Sequence, residues 1–190
     1  GPYEDQIHTH AESGSRVLLL ARYDGDPVPG ALEDENLTPL ALLLLSSPIR
    51  PEAEKTFRYF AEQGVSIRVI SGDDPRTASR VAGAVGIENS ERFVDASALK
   101  TDKDVLSAVK QYTVFGRVTP EQKKSIIAAL QSLGHTVAMT GDGVNDLLAM
   151  KQADCSVAMA SGAQAASQMA SLVLLNSDFA GMPAIVGEGR

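Results

Sequence analysis

From residue 46 onward the chain alternates short apolar runs with stretches of helical spacing, and this alternation restricts the fold more than any other feature. Pro51 suits the first turn of a helix, where its missing amide donor costs nothing. Ala53, Phe57, Phe60 and Ala61 follow at helical spacing, and Gly64 ends the run. Val65 to Ile70 (VSIRVI) predicts a strand, Ser71 to Pro75 a loop, and the next residues a helix to about Val85. The pattern then repeats. Residues 102–111 read as a helix and Tyr112 to Phe115 as a short strand. Thr119-Pro120-Glu121-Gln122 is a helix start, with Thr119 as cap and Gln122 placed to close a capping box. Ile126, Ile127, Leu130 and Leu133 give that helix a buried stripe, and Gly134 stops it. His135 to Thr140 (HTVAMT), Ser156 to Met159 and Leu172 to Leu175 complete the strands. Such alternation implies right-handed crossovers and a mostly parallel sheet. In sheets of this kind ligands sit beyond the carboxyl ends of the strands. Two polar loops fall at those ends, Ser71 to Asp73 and Gly141 to Asp146.

The first 45 residues have a different texture. Residues 1–15 are polar and read as a solvated tail. Arg16 to Tyr23 (RVLLLARY) predicts a strand, Asp24-Gly25-Asp26-Pro27 a turn, and the stretch to Asn36 an acidic loop. Leu37 to Leu45 predicts a second strand, interrupted by Pro39 and antiparallel to the first.

Composition excludes several function classes. A formal charge of -7 argues against a broad nucleic-acid footprint, which needs clustered Lys and Arg. A small phosphate ligand needs only one or two cations and some backbone amides, so it stays open. The single cysteine, Cys155, forbids an internal disulfide and fits a reducing compartment. His8, His10 and His135 lack a zinc-like partner set. The longest apolar run, Leu40 to Leu45, is far shorter than the roughly 20 residues that span a bilayer.

The chemistry concentrates in the string Gly141-Asp142-Gly143-Val144-Asn145-Asp146. The glycines let the backbone turn tightly and approach a ligand. Asp142 stands between them, and Asp146 lies four residues on, where its carboxylate can face the same pocket. Two carboxylates so close repel, and a hard divalent cation relieves that repulsion; magnesium suits carboxylate, water and phosphate oxygens. An acidic turn capping a helix is the plain alternative. Ser71-Gly72-Asp73 offers a hydroxyl, an unhindered amide and a carboxylate at the positive end of the next helix. An ordinary turn with a helix cap has the same letters. Lys123 lies in a first helical turn, where the helix dipole disfavours a cation and a nearby phosphate would compensate. A lysine on an exposed face has the same spacing.

The segment GRVTPEQKKSIIAALQSLGHTVAMTGDGVNDLLAMKQADCSVAM closely resembles the phosphorylation domain of P-type cation-transporting ATPases, within the haloacid dehalogenase-like superfamily. VSIRVISGDDPRTASRVAGAVGI and SPIRPEAEKTFRYFAEQG extend the resemblance over about Ser46 to Leu175, and SGSRVLLLA resembles the end of the nucleotide-binding domain. The resemblance implies a Rossmann-like haloacid dehalogenase fold, α/β with a mostly parallel sheet. It implies a remnant of the nucleotide-binding domain at 1–45 and a phosphorylation domain at 46–190. Asp142 looks like the magnesium ligand, with Asn145 and Asp146 ordering phosphate and metal shell. Lys123 resembles the lysine that neutralises the transferred phosphoryl group, and Ser71 and Gly72 the loop that hydrogen-bonds phosphate. Asp73 resembles the carboxylate near that lysine and the nucleotide. Arg16 resembles an arginine that reaches ATP phosphates, and Arg50 the arginine at the hinge between domains.

Two departures from the family pattern matter. The hinge motif usually starts with aspartate, and here reads Ser47-Pro48-Ile49-Arg50. The phosphorylated Asp-Lys-Thr-Gly-Thr string is absent, as are the actuator motif Thr-Gly-Glu and any membrane helix. The expectation is a piece of an ATP-driven pump, at the cytoplasmic face of a membrane, with magnesium as cofactor and ATP as substrate. Its partners would be the nucleophile loop, actuator and membrane domains of the same pump, and no nucleic acid. The sheet should lack its nucleophile-bearing first strand and carry a gap or unpaired edge, leaving a chain that is marginal, self-associating or completed by a strand from elsewhere. The rival readings are a soluble phosphatase of the same superfamily and a non-catalytic binding module of that fold.

Overall fold

A computed structural model describes Tyr3, Gln6, Ile7, Thr9 and residues 16–25, 36–45 and 48–189. Most of the expected tail, most of the acidic loop, Ser47 of the expected hinge motif and the side chain of Arg16 lie outside the described residues. The chain divides into two compact units, Gly1–Pro48 and Ile49–Arg190.

The first unit holds an antiparallel pair, β1 (Arg16–Tyr23) and β2 (Leu37–Leu45). Pro39 does not break β2. The register shifts between Leu20 and Ala21, so that Ala41 and Pro39 face them and Leu40 is the extra residue. A bulge is where a strand tolerates a residue that cannot donate to the ladder. Leucines 18, 19, 20, 40, 43, 44 and 45 are all exposed in this ribbon.

The second unit contains the alternation seen in the sequence. Its elements run α1 (Ala53–Glu62), β3 (Val69–Ile70), α2 (Pro75–Ala84), β4 (Phe93–Asp95), α3 (Asp102–Gln111) and β5 (Val114–Gly116). They continue with α4 (Pro120–Ser132), β6 (Ala138–Gly141), α5 (Leu147–Gln152), β7 (Cys155–Met159), α6 (Gln164–Met169), β8 (Leu172–Leu174) and α7 (Met182–Glu188). All pairings here are parallel, in two three-stranded sheets ordered β3-β5-β4 and β6-β7-β8. Among the described residues β3 pairs only with β5, and β6 only with β7. Each sheet therefore ends in an open edge at the strand that leads into a polar loop, in keeping with the expected missing strand.

Residues 65–68, expected as the start of β3, are not part of a strand. Pairing begins where the amide of Val69 reaches the carbonyl of Thr113. Val114 and Phe115 are both fully buried and point into different clusters. Val114 joins Ala78, Ala82, Val85 and Ile87, with Phe57 and Ile67 alongside. Phe115 joins a larger cluster that takes in Ile126, Ile127, Met139, Met150 and Ala158. A strand alternates its side chains, and helices cover both faces of this one.

Helix starts follow side-chain chemistry. Thr119 accepts from the Gln122 amide while the Gln122 side chain accepts from the Thr119 amide, closing the expected capping box. Thr101 and Asp104 close another on α3.

Two measurements test this architecture. Phe115→Ala should cost about 3–5 kcal/mol in urea unfolding, since it empties a fully buried aromatic site. The hydroxyl of Thr101, and the Thr101 and Lys100 amides, hold the Asp104 carboxyl below its ordinary range. A depressed carboxyl stabilises above its unfolded pKa and loses that contribution as pH falls through its folded one. Asp104→Asn should therefore flatten the acid limb of the stability profile, below about pH 4.

Candidate active site

The carboxyl ends of β3 and β6 deliver the two polar loops, and α4 delivers the lysine. Gly141 ends β6, and a tight turn, Val144–Asp146, leads into α5. Asp146 is buried at its end, although both neighbours before it, Val144 and Asn145, are exposed. Its two oxygens have separate tasks. Oδ1 pairs with Lys123 Nζ at 2.6 Å, and both side chains are about nine-tenths covered. Oδ2 accepts from the amides of Gly143 at 3.1 Å and Asp142 at 3.3 Å. The carboxylate thus fixes the loop that carries Asp142 and holds the lysine at once. Gly141 makes room for this: a Cβ there would sit 2.6 Å from Asp146 Cβ.

Asp142 itself is exposed. Its carbonyl accepts from the amide of Ala163 at 2.7 Å, and Gly162 passes so close that an added Cβ would lie 2.4 Å from that oxygen. The loop before α6 therefore braces the Asp142 backbone from behind and leaves its carboxylate free. Among the described residues no group of three or more His, Cys, Asp or Glu side chains is placed to hold a metal. Magnesium keeps several waters and uses one or two carboxylates together with substrate phosphates. Asp142 fits such a partial site, whereas Asp146 has both oxygens engaged within the protein.

In the first loop, Ser71 Oγ accepts from the Asp73 amide at 3.1 Å and lies 3.4 Å from its carboxylate. Gly72 and Asp73 are exposed. Lys123 takes Asp146 rather than Asp73 as its ion-pair partner. The Ser71 loop is tied to the start of α4 through backbone: the Val118 amide donates to Ser71 O at 3.0 Å and the Arg117 amide to Asp73 O at 2.7 Å. Arg50 is held elsewhere in the unit. Its guanidinium donates to Ser177 O at 3.3 Å and lies 3.4 Å from Asp178.

Sequence reasoning passed over Arg117 and Gly162. Arg117 adopts a left-handed φ of 51° and pairs with both Asp74 and Asp95. Neither conformation nor a partner 43 residues away shows in local spacing. The hydrogen bonds from Ser97, with Arg117 beside it, hold the Asp95 carboxyl below its ordinary range.

The site thus combines a buried lysine on a buried aspartate, an exposed aspartate on a braced loop and a hydroxyl-amide loop. The family model for haloacid dehalogenase-like hydrolases matches residues 3–154. The chain belongs to the haloacid dehalogenase-like hydrolases. Its curated relatives are cation pumps. The calcium-transporting ATPase CtpE of Mycobacterium bovis is 50% identical over 93% of this chain, which spans 22% of that relative. The cation-transporting ATPase pma1 of Synechocystis is 35% identical over 100% of the chain and 22% of its own length. The chain thus corresponds to less than a quarter of these pumps. Among solved structures, a zinc-transporting PIB-type ATPase in its E2.Pi state matches at TM-score 0.68, covering 99% of this chain and 25% of that one at 23% identity. The catalytic domain of the CPx-ATPase CopB matches at 0.58 and 20% identity, over 90% of this chain and 57% of that domain. At such identities these two matches establish the shared fold. Among the described residues no helix is long and apolar enough to cross a membrane.

The site geometry separates its two aspartates. Asp146→Ala strands Lys123 in the interior and should cost about 3–5 kcal/mol in chemical denaturation. Asp142→Ala removes an exposed carboxylate and should stay within about 0.5 kcal/mol of the parent.

Proposed function

We propose that this chain is the phosphoryl-handling part of an ATP-driven cation pump that forms an aspartyl-phosphate on a residue outside these 190. The observation that carries the reading is the buried Lys123–Asp146 pair directly behind the exposed Asp142. A lysine kept inside by one carboxylate holds a positive charge of low mobility where water is scarce. Such a preorganised charge stabilises a transferring phosphoryl group more than a solvated one would. Ser71 and Gly72 would hydrogen-bond phosphate oxygens, and Asn145 would order the phosphate at the opposite loop. Asp73 would stand near the nucleotide, and Arg16 and Arg50 keep the nucleotide and hinge roles that their motifs suggest. Asp142 would hold magnesium, which when bound neutralises charge on phosphate oxygens and needs further oxygens from substrate and solvent.

The open edges of β3 and β6 support the same reading. Each precedes a site loop, and a parallel strand between them would end at the same place. A nucleophile on that strand would face Lys123 and Asp142. The relatives' names support cation transport, with calcium as cargo for the 50% identical one. On this reading the reaction would take place at the cytoplasmic face of a membrane, where this chain would work with the actuator and membrane domains of the same pump.

The isolated chain should incorporate no acid-stable phosphate from ATP, because it contains no Asp-Lys-Thr-Gly-Thr nucleophile string. Stoichiometric incorporation would sink the reading. In the full-length protein, Asp142→Asn should leave the fold intact and lower magnesium-dependent phosphoenzyme formation by about 100-fold or more. Phosphorylation at the parental rate would refute the role given to Asp142.

A further inference from the structure

We infer that Arg117 is a positioning residue that clamps the Ser71–Asp73 loop to the helix bearing Lys123; this rests on the reading of the site as a phosphoryl-transfer centre. Its guanidinium forks between two carboxylates from separate elements. One nitrogen lies 2.7 Å from Asp95 at the end of β4, the other 2.8 Å from Asp74 at the start of α2. Each acid already has a local task. Asp74 caps α2 through the Arg76 amide, and Asp95 accepts from the Ser97 amide. The guanidinium therefore joins two fixed points and is not free to wander.

The backbone of the same residue reaches the site. With φ at 51°, Arg117 turns its amide onto Asp73 O at 2.7 Å, a conformation unusual for a residue with a Cβ. Gly116 lies against Pro75 so closely that a Cβ would stand 2.4 Å from the Pro75 Cα. Val118 reaches Ser71 O, and Thr119 caps α4, with Lys123 one turn further. Residues 116–119 thus span from the phosphate loop to the lysine helix without a gap. Strain at Arg117 is tolerated only where its surroundings over-determine it, and the backbone bonds of Arg117 and Val118 with the close packing of Gly116 on Pro75 supply that.

The pairs are not there for stability. The Arg117 side chain is 56% exposed and those of Asp74 and Asp95 are 42% and 31% exposed, a setting in which ion pairs contribute little. What a planar fork does there is fix orientation, which a lysine cannot reproduce. A displaced loop, in turn, slows phosphoryl transfer steeply, because catalysis of this kind is mostly positioning.

Arg117→Lys, Asp95→Asn and their combination test the clamp. In the 190-residue chain each variant should shift the amide NMR signals of Ser71, Gly72 and Asp73 while the melting temperature moves by only a few degrees. In the full-length pump each single variant should slow phosphorylation at saturating ATP on the order of tenfold. The KM for ATP should change less than about twofold, and the double variant should be no slower than either single. Unmoved loop signals, a parental rate in Asp95→Asn, or losses that multiply in the double variant overturn the clamp. A parental pump that forms no phosphoenzyme defeats the phosphoryl-transfer reading instead, and the loop signals then decide the clamp alone.

Discussion

The second unit is organised around one ion pair, Lys123 with Asp146. Removing two charges from water is expensive, and the pair persists because both oxygens of the carboxylate are satisfied. Asp146 has a lysine on one oxygen and two backbone amides on the other. The arrangement dictates the tight turn at 144–146, the glycine at 141 and the start of α5. It also fixes α4 against the second sheet, since Lys123 sits on the same helix as the core residues Ile126 and Ile127. The functional loop and the core share one anchor.

Around that anchor the site separates rigid parts from available ones. The buried members are Lys123 and Asp146, and the exposed members are Asp142, Asn145, Gly72 and Asp73. This separation suits the large, charged, exchangeable ligand proposed above. The ion pair lies beneath, and the groups proposed to meet the ligand are exposed on braced backbone. Gly162 and Ala163 brace one loop, and residues 116–118 brace the other.

Much of the fold was legible because its signals are local. The Thr119 capping box, the stripe of α4 and the helix at 102–111 all rest on contacts within one or two turns. β4 was missed because Phe93–Asp95 is three residues long and has no alternation to read. Residues 65–68 read as strand because β-branched spacing reports a preference for extension, while a ladder needs a neighbour that the letters cannot show. In the site, the GDGVND string located the loop. Its spacing could not tell a carboxylate turned outward from one committed to an interior lysine 23 residues away. Arg117 was invisible for the same reason: its partners lie 22 and 43 residues away, and its backbone angle leaves no trace in composition.

The two parallel sheets of the second unit share a core but, among the described residues, no ladder. Phe115 from one and Met139 and Ala158 from the other meet in the same apolar cluster. Hydrogen-bonded strands move in whole register steps, whereas apolar side chains slide over one another with little directional penalty. In this chain the seam between the sheets therefore rests on apolar contact alone. It runs between the serine loop and the aspartate loop, so the strand proposed above, pairing with both edges, would set the distance between them in whole register steps.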